Sequence, residues 1–106
     1  MCAALGLGIL VAAPVDARPA KCLLSVGGET FIAGACDFNP SSDKDGSFQI
    51  TGANGRYFAY LYVEGDGVAS AHWNGVNGEA RAHNPLGKLV RDGACWSNAD
   101  AKLCAW

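Results

Sequence analysis

Arg56-Tyr57-Phe58-Ala59-Tyr60-Leu61-Tyr62-Val63 is followed by Glu64-Gly65-Asp66-Gly67 and then by Val68-Ala69-Ser70-Ala71-His72-Trp73. The first run holds Tyr57, Phe58, Tyr60 and Tyr62, and aromatic and β-branched residues favour strands. The connection is built from turn formers, so the segment reads as a β-hairpin. Pairing Val63 with Val68 across a four-residue loop sets Phe58 against Trp73, Tyr60 against Ala71 and Tyr62 against Ala69. Large rings then meet small side chains, and that face is expected to be the packed one. Tyr57, Ala59, Leu61, Ser70 and His72 fall on the other face. A slip of one residue would exchange the two.

The same pattern extends in both directions. Glycine supplies 14 of 106 residues, roughly twice its usual share. With proline it interrupts the chain too often for long amphipathic helices. The other apolar runs are Cys22–Val26, Thr30–Ala35, Ser47–Thr51, Lys88–Arg91, Ala94–Trp96 and Lys102–Trp106, with a further short strand expected at Glu79–His83. Gly27-Gly28, Asn74-Gly75, Asn77-Gly78, Asn84-Pro85-Leu86-Gly87 and Asp92-Gly93 punctuate them as turns. The expectation is all-β: a small antiparallel meander barrel or sandwich of about 7–9 short strands. Trp73, Trp96 and Trp106 are expected to pack in its core. The length allows a single domain, and 50% hydrophobic residues suffice for a core.

Residues 1–17, MCAALGLGILVAAPVDA, precede that domain. The apolar run Cys2–Ala13 is shorter than the ~20 residues of a helical membrane span. It suits a secretory signal peptide, cut after Ala17 because Val15 and Ala17 place small residues before the break. No Lys or Arg precedes the run, so the segment reads as a signal peptide truncated at its N-terminus. The domain is then 18–106. Loss of Cys2 leaves Cys22, Cys36, Cys95 and Cys104, an even set typical of a disulfide framework. None of them forms the close pair that zinc sites use. Cys22 with Cys36 and Cys95 with Cys104 is the expected pairing, because each flanks a turn and closes a short loop. The compartment implied is periplasmic or secreted.

The formal net charge of -2 argues against a nucleic-acid partner, which needs a basic face. Asp43-Lys44-Asp45-Gly46-Ser47 resembles the middle of a calcium loop, but Ser41 and Gly52 stand where acidic ligands belong, so a solvated turn is expected. No serine lies in Gly-x-Ser-x-Gly. His72 and His83, with Glu79 between them, are the residues of an alternative reading: a small metal-dependent or hydrolytic enzyme. A purely structural envelope module is a third. The leading expectation is a non-enzymatic envelope binding protein without a cofactor, since a stapled β scaffold with polar turns suits recognition.

The loop Gly52-Ala53-Asn54-Gly55-Arg56-Tyr57 lies between two β runs. With the export segment, the small β domain and a cysteine near the C-terminus, it resembles the membrane-bound and periplasmic inhibitors of c-type lysozyme. Their Ser-Gly-x-Arg-Tyr-like loop enters the lysozyme cleft. Gly55, Arg56 and Tyr57 match; the Ser, and the residue between Gly and Arg, are absent here. The resemblance implies a lysozyme-like hydrolase as partner and Asn54, Gly55, Arg56 and Tyr57 as binding residues. Gly93-Ala94-Cys95-Trp96 and Leu103-Cys104-Ala105-Trp106 also resemble small exported proteins of alphaproteobacteria, a likeness that implies no activity.

Overall fold

The computed structural model describes residues 18–42 and 45–106. The expected signal segment, with Cys2, lies outside them, as do Asp43 and Lys44. The described residues form eight antiparallel strands: β1 Arg18–Val26, β2 Glu29–Pro40, β3 Phe48–Gly52, β4 Phe58–Gly65, β5 Val68–Trp73, β6 Asn84–Asp92, β7 Cys95–Ser97 and β8 Ala101–Ala105. Each pairs with the next, and β8 pairs with β1, so the meander closes into a barrel with no free edge.

Strand alternation fills the interior. Cys22 and Leu24, Phe48 and Ile50, Ala59 and Leu61, and Ala69, Ala71 and Trp73 recur at every second position and are buried, with Leu89, Trp96 and Leu103 completing the core. An apolar interior is the reverse of a membrane barrel's polar lumen. No described helix is long and apolar enough to cross a membrane. Trp73 and Trp96 sit in the core as expected, but Trp106 is 59% exposed. It follows the last strand, and its backbone still exchanges hydrogen bonds with Lys21.

The decisive hairpin forms, but with its faces exchanged on β4. Ala59 pairs with Trp73, Leu61 with Ala71 and Val63 with Ala69; then Gly65 pairs with Val68, leaving Glu64 as an extra residue. That bulge shortens the turn to Asp66-Gly67, where Gly67 takes φ +69°. Ala59 and Leu61 therefore point inward, whereas Phe58, Tyr60 and Tyr62 stand outside with Ser70 and His72. Volume explains the outcome. An eight-stranded barrel has just enough room for its side chains, and Ala59, Ala69 and Ala71 make space for Trp73 and Trp96. Turning three more rings inward would overfill it and strand two tyrosine hydroxyls among apolar groups.

Two further expectations are corrected. Glu79–His83 is not a strand, and Asn84–Gly87 does not end one but opens β6. Pro85 is tolerated there because the pairing shifts at that point: Ala71 faces Gly87 and His72 faces Pro85, so Leu86 is the extra residue and turns into the core.

Both expected disulfides are present. Cys22–Cys36 joins β1 to β2 inside the barrel, and both cysteines are buried. Cys95–Cys104 links directly opposed residues of β7 and β8. Because β8 pairs with β1, the two bonds brace four consecutive strands around the line where the barrel closes. Bonds of this kind persist in an oxidising compartment.

Candidate functional site

In an up-and-down barrel alternate connections share an end. The segments 53–57, between β3 and β4, and 74–83, between β5 and β6, therefore share one rim. Tight local bonds shape the first of them. The Gly52 N–H donates to the Tyr57 carbonyl at 2.9 Å and the Gly55 N–H to the Gly52 carbonyl at 2.8 Å. The Arg56 N–H donates to the Asn54 side-chain oxygen at 2.9 Å, an Asx turn. Gly55 adopts φ +72°, the left-handed conformation that an Asn-Gly turn favours.

Asn74 ties the two segments together. It is fully buried. Its side-chain oxygen accepts from the Phe58 N–H at 3.0 Å, and its amide donates to the carbonyls of Arg56 at 2.8 Å and Glu79 at 2.9 Å. Its own N–H and C=O bond Phe58 and Glu79. A buried amide with every group engaged fixes backbone position strongly, because each orphaned partner would cost about 1–3 kcal/mol. The second segment also lies close to the first. A Cβ added at Gly78 would come within 2.9 Å of the Arg56 Cγ and 3.1 Å of its carbonyl oxygen. The Asn74-Gly75 dipeptide signals a turn; nothing local in it signals this brace.

The four expected binding residues come together at this rim, in two roles. Asn54, Gly55 and Arg56 are exposed. Tyr57 is half-buried: its ring meets Phe31 edge-on at 5.3 Å and lies 6.2 Å from Trp73, and its hydroxyl donates to the Val76 carbonyl at 3.1 Å. It anchors the loop rather than presenting itself. The Arg56 guanidinium lies 5.5 Å from the Tyr57 ring centre, a cation–π approach. Lys88 with Glu64 is the one ion pair among the described residues, so Arg56 has no carboxylate partner there.

A second feature lies on the outside of the barrel. The outward rings of β4, Phe58 and Tyr60 half-buried and Tyr62 exposed, follow one another at 6.1 Å, with Tyr60 and Tyr62 within 8° of parallel and Phe58 nearly perpendicular to Tyr60. His72 on β5 meets Tyr62 edge-on at 6.4 Å. The segment 80–83 forms the opposite wall of an open groove of about 570 Å³, which also takes in Gln49. His72 and His83 thus share a groove, but Glu79 does not line it. No group of three His, Cys, Asp or Glu residues able to hold a metal occurs among the described residues. Asp45 accepts from the Ser47 N–H at 2.9 Å. That bond holds its carboxyl below the usual range.

No family model matches this chain, and no curated protein or solved structure is significantly similar to it.

Proposed function

We propose that this is an exported, non-enzymatic binding protein of the bacterial envelope, periplasmic or secreted, that inhibits a lysozyme-like hydrolase with its 53–57 rim loop. One observation carries the reading: Arg56 is exposed and free of any described carboxylate, on a loop whose backbone Asn74 holds in place. A preformed loop loses little conformational entropy on binding. An unpaired arginine gains charge-assisted, bidentate hydrogen bonds on entering a carboxylate-lined cleft, the kind of cleft that cuts glycosidic bonds. The resemblance at Gly55, Arg56 and Tyr57 points to the same class of partner. Export rests on the apolar segment 1–17 and on the two disulfides.

The test is the rate at which a c-type lysozyme clears a bacterial cell-wall suspension in the presence of a molar excess of residues 18–106. Inhibition at micromolar concentration is expected. Arg56→Ala should weaken it by about 1.5–3 kcal/mol, the scale of hydrogen bonds to charged groups. Unchanged lysis, with a β-rich circular dichroism spectrum confirming the fold, would remove the reading.

A further inference from the structure

We infer that the outer groove between β4, β5 and the segment 80–83 is a binding site for an acidic glycan. It is distinct from the rim loop and does not depend on the inhibitor reading. Phe58, Tyr60 and Tyr62 are not surplus core residues. The Glu64 bulge places them outside, although the one-residue alternative would have hidden them. Tyr62 remains 49% exposed. Phe58 and Tyr60 beside it are half-buried, and outward rings repeated along one strand form a platform for flat apolar faces. A pyranose ring offers such a face of C–H groups, bordered by hydroxyls. Tyr60, Tyr62, Gln49 and His72 line the same groove and carry polar groups able to bond that border. A few polar groups converging on an aromatic floor is the usual composition of a small-ligand site, and the volume falls in the usual range.

Charge selects among sugars. The groove is lined by Arg81, His72 and His83 and by no carboxylate. The side chains of Arg81 and His83 have no hydrogen bond or ion pair with another described residue. A uronic acid brings a carboxylate on each ring, which suits a guanidinium fork beside a stacking surface. A nucleic-acid strand would also stack, but its affinity depends on neutralising several successive phosphates. Arg81 is the groove's one permanent cation, on a chain of net charge -2.

Isothermal titration of residues 18–106 with a short oligogalacturonate tests the assignment, with a neutral cello-oligosaccharide and an oligothymidylate as comparisons. Oligogalacturonate should bind, the neutral chain at least about tenfold more weakly, and the oligothymidylate more weakly than oligogalacturonate. Tyr62→Ala and Arg81→Ala should each weaken oligogalacturonate binding by about tenfold, equivalent to ~1.4 kcal/mol. Both positions are exposed, and circular dichroism should confirm that these variants fold. Arg56→Ala should leave this binding unchanged. No heat with oligogalacturonate, equal binding of the neutral chain, tighter binding of oligothymidylate, or unaltered binding by both groove variants would each overturn the inference.

Discussion

The barrel has two unlike halves. Strands β7, β8, β1 and β2 carry both disulfides and the closure of the sheet. Strands β3 to β6 carry no disulfide, yet they hold the outer rings, the long rim segments and the bulges at Glu64 and Leu86, against one register shift between β1 and β2 in the stapled half. The stapled half adds to its strand ladders covalent bonds that restrict the unfolded chain. The other half relies on contacts made only in the folded chain. An asparagine braces the rim in both. Asn98, in the β7–β8 turn, donates to the carbonyls of Leu86 and Lys88 and accepts from the Asp100 and Ala101 N–H groups. It does so from an exposed position, whereas Asn74 is sealed from water. A recognition surface built on the unstapled half can thus be precise without being covalently locked.

Breaking the stapled half should have the largest effect. Replacing Cys22 and Cys36 together by alanine should lower unfolding free energy by about 3–5 kcal/mol, combining the ~3 kcal/mol expected for a loop of this length with lost core packing. Denaturant titration should show it, and reduction of Cys95–Cys104 should have a smaller effect because its loop is shorter.

Next comes the brace. Asn74→Ala removes the partner of the Phe58 N–H and of the Arg56 and Glu79 carbonyls; Arg56 and Glu79 are exposed, so water can replace it at their carbonyls, and the change should cost about 2–3 kcal/mol. Amide exchange should quicken first at 52–58 and 75–79, while β1 and β8 keep their protection. Uniform acceleration across the barrel would show that the two halves are not separately held.

The smallest effect is electrostatic. The hydrogen bond from Lys88 holds the Glu64 carboxyl below its ordinary value, with Ser70 adding to it. A depressed folded pKa adds stability above the unfolded value, about 4.5, and that contribution is lost as pH falls through the folded value. Glu64 is well solvated, so Glu64→Gln should lower Tm slightly at pH 7, with the difference closing below about pH 4. A difference that persisted at low pH would mean that the bulge, and not the charge, was disturbed.

The cysteine pairs were legible in the sequence because each closes a short local loop around a turn. The strands around Tyr57–Trp73 were legible from composition. The orientation of β4 was not, because Glu64-Gly65-Asp66-Gly67 accommodates a four-residue loop or a bulge with a two-residue turn. Only the interior volume of the closed barrel decides between them. Asn54 to Tyr57 were located as a loop, but the inward anchoring of Tyr57 depends on Phe31 and Trp73, distant in sequence. The groove escaped for a related reason. Its far wall, 80–83, reads locally as a strand, and its floor reads as core until the bulge is known. Asn74 shows the same limit: an Asn-Gly turn and a buried three-way brace look alike until the neighbouring loops are in place.

The most direct test of the proposed role of the rim loop is amide chemical-shift mapping of residues 18–106 during titration with a c-type lysozyme. Perturbations should cluster at 52–58 and 75–79, spare β7, β8, β1 and β2, and be largely lost in Arg56→Ala. Perturbations centred on the stapled strands, or none at saturating lysozyme, would contradict the assignment of the rim loop as the binding element.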